Sequence, residues 1–131
     1  MSDFSVYTAE QIRDWMSQGT VDTPPSNLYI TVFDDTGTEL SSDFAGARAT
    51  TATGSDWTTT GTSFENAAQI SLGEATVDVS NIQDVALFDA NTGGNEIARY
   101  DLSDAPFDVA GGSVLVWDAG ELSFDIVDRT E

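Results

Sequence analysis

Val85-Ala-Leu-Phe-Asp-Ala-Asn-Thr-Gly-Gly-Asn-Glu-Ile-Ala-Arg-Tyr-Asp101 is the stretch on which the fold turns. Residues 85–89 and 96–101 have strand composition and flank Ala90-Asn-Thr-Gly-Gly94, where Asn and Gly supply the positive φ of a tight reversal. This spacing predicts an antiparallel hairpin. Residues 85–89 also carry apolar side chains on both faces, so the strand is either central or meets another subunit.

Outward from the hairpin the same grammar repeats. Asn27-Leu-Tyr-Ile-Thr-Val-Phe33 alternates with period two, placing Leu28, Ile30 and Val32 on one face and Tyr29 and Phe33 on the other. Residues 64–72 and 75–79 read as strands separated by Gly73-Glu74. Gly111-Gly112 precedes Val114-Leu-Val-Trp117, and Asp118-Ala-Gly120 turns the chain into a strand over 122–126. Residues 49–63 are rich in Thr and Ser and read as exposed strands or a long loop. Seven or eight short strands at such spacing predict a mainly β chain, an antiparallel β-sandwich of jelly-roll type. The length predicts one domain over residues 1–131.

One segment breaks the pattern. Thr8-Ala-Glu-Gln11 has capping-box form, Ile12, Trp15 and Met16 make an apolar stripe, and Gly19 is a natural stop. The spacing predicts a helix of about ten residues with Thr8 as N-cap, within a docking segment over 1–23. A helix this short is unstable alone. Its stripe must dock on its own domain or on a neighbouring subunit.

Composition bounds the function. Of 131 residues, 23 are Asp or Glu, four are Arg, and none is Lys, His or Cys, for a net charge of −19. A chain of this mass exposes roughly 6,700 Å², so net charges lie very roughly 20 Å apart, against a Debye length of about 10 Å at 0.1 M salt and about 3 Å at 1 M. A Lys-free, Asp-rich surface fits a protein that works in brine. Local clusters would feel repulsion more: Asp34-Asp35, the Asp101, Asp104 and Asp108 stretch, and the tail Asp125, Asp128 and Glu131. An acidic regulator that mimics nucleic acid is the rival reading of this charge. Direct binding to nucleic acid is excluded by the scarcity of cations. Arg13, Arg48, Arg99 and Arg129 are left as the few partners for charged contacts between copies.

Without His, Cys or Lys, nucleophile–base catalysis loses its usual groups, and no Gly-x-Ser-x-Gly elbow occurs. The expectation is a protein with no enzymatic activity and no cofactor. No metal site is expected either; the weak candidates are Asp34, Asp35 and Glu39, whose carboxylates would suit a hard cation. Asp89-x-Asn91-x3-Asn95 begins like a calcium loop, but Gly93 stands at a ligand position and Tyr100 where the bidentate Glu would fall. A carbohydrate-binding or adhesin module is the alternative function, with Trp57 the aromatic free to be exposed. No apolar run spans a membrane. The N-terminus lacks the features of a signal peptide, which predicts a product made in the host cytoplasm.

The order of segments resembles a known family. A short helix is followed by Pro-Pro-x-x-Leu-Tyr-x-x-x-Phe (Pro24 to Phe33), Phe-x-Asn-Ala-Ala (Phe64 to Ala68), Ala-Leu-Phe-Asp-Ala-Asn-Thr-Gly-Gly-Asn (Ala86 to Asn95) and a late Ala-Gly-Glu-Leu hairpin ending at Leu122. From about residue 8 to 127 this is similar to small virion proteins of tailed phages, labelled tail-fibre-like or minor structural proteins. The resemblance implies an assembly or surface component with no catalytic residues. The acidity, and Asp78 and Asp84 beside the 79–83 segment, depart from the family pattern and fit a virus of a haloarchaeon. The expected role is an oligomeric virion protein, a tail fibre or a capsid decoration or turret piece. It would pack against copies of itself, as a trimer or pentamer, and against other virion proteins. Ile12, Trp15 and Met16 of the helix, with Tyr29 and Phe33 of the first strand's second face, are the expected assembly residues.

Overall fold

Two bulges decide the longest strand in the computed structural model, which describes residues 4–125. Strand β6 (Val79–Phe88) runs through the 79–84 segment, where period two fails, because Asn81 turns left-handed (φ 59°) and the register slips against both neighbours. An extra residue in a ladder bends the strand and re-aims its side chains. Val79, Ile82, Val85 and Leu87 therefore all reach the core despite their uneven spacing.

Around β6 the main sheet assembles in the order β2 (Ala49–Ala52), β1 (Asn27–Asp34), β6 and β7 (Glu96–Asp101), with β8 (Phe107–Val109) paired to the far end of β6. All pairings are antiparallel. The expected 85–101 hairpin is the β6–β7 pair, with Val85 opposite Tyr100. The opposing layer is divided. One sheet has the order β10 (Ser123–Asp125), β4 (Ser63–Asn66), β3 (Trp57–Thr60), and the other pairs β5 (Ile70–Glu74) with β9 (Val114–Trp117). This is the expected antiparallel sandwich, with one helix at its N-terminal end.

Several boundaries differ from the sequence reading. The 64–72 strand is split into β4 and β5, and Gly73-Glu74 lies inside β5 instead of ending it. Gly73 (φ +82°) and Gly46 let two backbones touch: a Cβ on Gly46 would stand 2.6 Å from Leu72 O. Of the 75–79 segment, Ala75 makes an isolated bridge to Phe44 and Val79 opens β6, opposite Val109. The Thr-rich 49–63 stretch supplies β2, β3 and the start of β4, and β8 had no sequence signal. Ile126, expected in the last strand, and Arg129, Asp128 and Glu131 lie outside the described residues.

Between the layers sits one apolar core, in which Ile30, Val32, Leu72, Ile82, Val85, Leu87, Leu122 and Phe124 have no exposed surface. Phe124 stacks on Phe64 (centroids 5.6 Å) and meets the edge of Tyr100 (5.0 Å), joining the small sheet to β7. Asn66 is a polar residue buried beside this core, 1% exposed. Its Nδ2 donates to the carbonyls of Ala68 and Asp118 and its Oδ1 accepts from Leu122 N, each at 2.9 Å.

Helix α1 (Val6–Gln18) starts earlier than predicted. Ser5, not Thr8, is the N-cap, and its hydroxyl accepts from Thr8 N. Thr8 Oγ1 instead donates to Ile97 O at 2.9 Å, tying the first turn to β7. Gly19 ends the helix in the left-handed conformation as expected (φ 69°).

Candidate assembly surfaces

Two surfaces collect the assembly residues singled out by sequence. The first is α1. No residue of the helix is buried, and Ile12, Trp15 and Met16 are 40%, 63% and 71% exposed. The stripe does not dock on the body of its own chain. The segment after the helix folds back along it, because Asp22 N donates to Gln11 Oε1 (2.7 Å) and Tyr7 OH donates to Asp22 Oδ2 (2.9 Å). This brings Val21 beside Thr8, Gln11, Ile12 and Trp15 to form an open apolar groove. Water bears the cost of a Trp and a Met held outside a core.

The second is the outer face of the main sheet. Phe33 and Phe88 stack there at 6.1 Å, with Ala86 between the strands and Tyr29 packed alongside. Tyr29 is half-buried, but Phe33 is only 7% exposed. Two arginines account for the difference. The Arg99 guanidinium lies 3.7 Å from the Phe33 ring centre and that of Arg48 lies 4.0 Å from Phe88, a stacked geometry that suits the planar guanidinium. Arg99 pairs with Glu96 and Asp84. Arg48 makes a two-toothed pair with Glu39, Nε to Oε2 and Nη2 to Oε1, each at 2.8 Å. Its Nη1 also donates to the carbonyls of Ala90 and Gly93. Two of the four arginines expected to serve contacts between copies are thus engaged within the chain. They cover a face whose apolar residues had suggested a second subunit.

Arg48 also holds the most family-like turn. Asp89 closes that loop from the other side, accepting from the backbone and side-chain nitrogens of Asn95. Gly94 (φ +75°) admits no side chain, since a Cβ would sit 2.6 Å from Asp89 Oδ1. The calcium-like pattern from Asp89 to Asn95 therefore builds a turn. Sequence reasoning missed the role of Arg48; the available signal was a lone cation inside the small, apolar stretch Phe44-Ala-Gly-Ala-Arg48.

The weak metal candidates do not converge. Asp34 Oδ1 accepts from Thr36 N, Thr36 Oγ1 and Thr38 N, capping its own turn, and these bonds lower its pKa. Glu39 is held by Arg48 and Thr31, and the Arg48 bonds bring its pKa down to about 2. Among the described residues no group of three or more carboxylates could hold a metal ion. Trp57 is half-buried; its Nε1 donates to Thr51 Oγ1 (3.0 Å), and its ring meets Phe64 edge-on.

One carboxylate is out of balance. Asp84 and Asp101 face each other across the β6–β7 ladder, and like charges so placed are destabilising. Burial, then the facing Asp101 carboxyl, push Asp84 up to about 6, while Arg99 pulls the other way. Its buried Oδ1 has no hydrogen-bond partner, and a proton shared with Asp101 supplies one. A folded-state pKa above the unfolded value means that the fold prefers the protonated acid. This contribution is full below the ordinary carboxylate range and is lost as pH rises through about 6. Asp84→Asn is expected to flatten that loss and to stabilise the fold by about 1–2 kcal/mol at neutral pH, less than the whole shift because the Arg99 pair weakens too. Thermal melts of both proteins from acid to neutral pH check this. Parallel curves would show that the pair does not titrate there.

Among the described residues no helix is long and apolar enough to cross a membrane. No curated protein sequence matches the chain. The model of one family, described as podophage GP4 fiber I protein gp80, matches residues 3–125, and on that extent of match the chain belongs to this family of tailed-phage fibre proteins.

Proposed function

We propose that this protein is a structural component of a tailed-virus virion, a fibre piece of the tail, that assembles through the apolar stripe of α1. The observation that carries the reading is the helix itself. Trp15 and Met16 are 63% and 71% exposed on an element whose first turn is tied to β7. An exposed apolar stripe of this kind marks an interaction surface. The family's fibre description favours the tail over a capsid decoration or turret. Copies of the chain around a symmetry axis, as a trimer or pentamer, would cover the stripe of Ile12, Trp15 and Met16, and Tyr29 would contribute from the outer face of the main sheet. Phe33 contributes from beneath Arg99.

The virus is proposed to be haloarchaeal. A net charge of −19 with no Lys is best tolerated where salt screens it. No catalytic group is invoked; the chemistry is burial of apolar surface.

Trp15→Ala tests the reading in virions. Mass spectrometry of purified wild-type particles should find the protein, and the variant should be depleted by about tenfold or more, as loss of one buried aromatic anchor predicts. Particle assembly should also weaken on dialysis from about 3 M to about 0.1 M salt. Absence from wild-type particles would sink the virion assignment, and an unchanged variant content would sink the role of α1.

A further inference from the structure

β9 lacks the protection that exposed strands normally carry. Leu115 and Trp117 enter the core while Val114 and Val116 point outward, 54% and 38% exposed. Other outward strand positions carry Thr58, Ser71 or Ser123. Free edges are usually guarded by Lys, Pro, a charge or a bulge; Val114-Leu-Val-Trp117 has no charge and no Pro. β9 pairs only with β5, whose own far side is closed by Ala45 N to Glu74 O and Gly46 N to Leu72 O. Among the described residues no strand pairs with the other side of β9, and a two-stranded sheet is a marginal unit.

A groove of about 290 Å³ runs along this side. Leu102, Asp104 and Phe107 form one wall, and Val116 and Glu121 form the other. No β5 residue lines it, which puts it on the unpaired side. Two carboxylates stand at the groove and its lining contains no cation. A copy of this chain is a poor match: of the described arginines, Arg48 and Arg99 are held internally and Arg13 already pairs with Asp14 on the helix.

We propose that the open edge of β9 receives an extended, basic segment of another protein, which adds to the β5–β9 sheet as a third strand. Main-chain bonds would supply affinity, as in other strand additions. Apolar side chains on the inner face of the added strand would meet Leu102 and Phe107, and the intervening Lys or Arg, on the outer face beside Val116, would reach Asp104 and Glu121. This site is separate from α1 and stands or falls apart from the fibre reading.

The test uses the full chain and three octapeptide probes: alternating Val and Lys, alternating Val and Glu, and all Lys. The Val/Lys peptide should bind and slow amide exchange at residues 114–117, the Val/Glu peptide should not bind, and Lys alone should bind weakly without protecting β9. Val116→Lys, at an exposed position that leaves the core intact, should weaken Val/Lys binding at least ~10-fold, while Trp15→Ala should leave it unchanged. The proposal is overturned by failure of the Val/Lys peptide to bind, by protection elsewhere, by equal binding of the all-Lys peptide, or by an unaltered Val116→Lys variant.

Discussion

Arg48→Met should be the most damaging single change of charge in this protein, costing about 3–5 kcal/mol, the range for removing one partner of a buried ion pair. The side chain is 4% exposed and makes four hydrogen bonds, two to Glu39 and two to the carbonyls of Ala90 and Gly93. The variant leaves the Glu39 carboxylate with only the hydroxyls of Thr31 and Ser41, frees both turn carbonyls and uncovers Phe88. Lys should not rescue it, because a point charge on a flexible stem cannot replace a fork that reaches four oxygens. Adding Glu39→Gln to Arg48→Met should recover part of the loss by removing the uncompensated charge. Urea midpoints of the single and double variants check this. Equal stability of Arg48→Met and wild type would mean that the turn and the outer face do not depend on the cation. The pair also sets an acid limit: Glu39, held down to about 2, contributes stability above its ordinary range that is lost as pH falls toward 2.

Asn66→Ala is expected to cost about 2–4 kcal/mol, from buried groups left unpaired and from the space left behind. Besides its side-chain bonds, its backbone N–H donates to Leu122 O and its carbonyl accepts from Gly120 N. The side chain therefore sets how the chain passes from β9 to β10. Truncation orphans the buried Leu122 N and removes the donor to the Asp118 carbonyl. Asn66→Asp separates hydrogen bonding from volume. It keeps the acceptor for Leu122 N but turns a donor into an anion facing the carbonyls of Ala68 and Asp118. It should be worse than Ala at neutral pH and should recover on acidification, as the carboxyl regains a proton to donate. Melting curves of both variants at two pH values give the answer; an Asp variant as stable as wild type at neutral pH would refute the assigned amide orientation.

These two residues show where the sequence could and could not be read. The 85–101 hairpin, the first strand and the Gly19 stop were legible because turn chemistry and period two act over a few residues. The 79–84 segment was not, since two register slips erase the period that identifies a strand. Thr8 was placed at the cap because its spacing to Gln11 is right. Ser5 offers a cap one turn earlier and Thr8 finds a partner in Ile97, a choice that depends on β7. The Phe-x-Asn-Ala-Ala run was visible as a pattern, but the work of its Asn was not, because its partners lie as far as 52 and 56 residues along the chain.

Among the expected assembly residues, packing separated two kinds. Ile12, Trp15 and Met16 stay outside on a helix tied to the sandwich at its first turn, where Thr8 meets Ile97. Phe33 is covered because Arg99, on a strand two places across the sheet, lies over its ring. Local sequence by itself determined the β class, the single helix, the acidic surface and the turns, since period, propensity and charge are properties of neighbouring residues. Only the tertiary structure decided which carboxylates the rare arginines meet, which apolar face remains open and which strand keeps a free edge, because those outcomes depend on pairings between residues far apart in the chain.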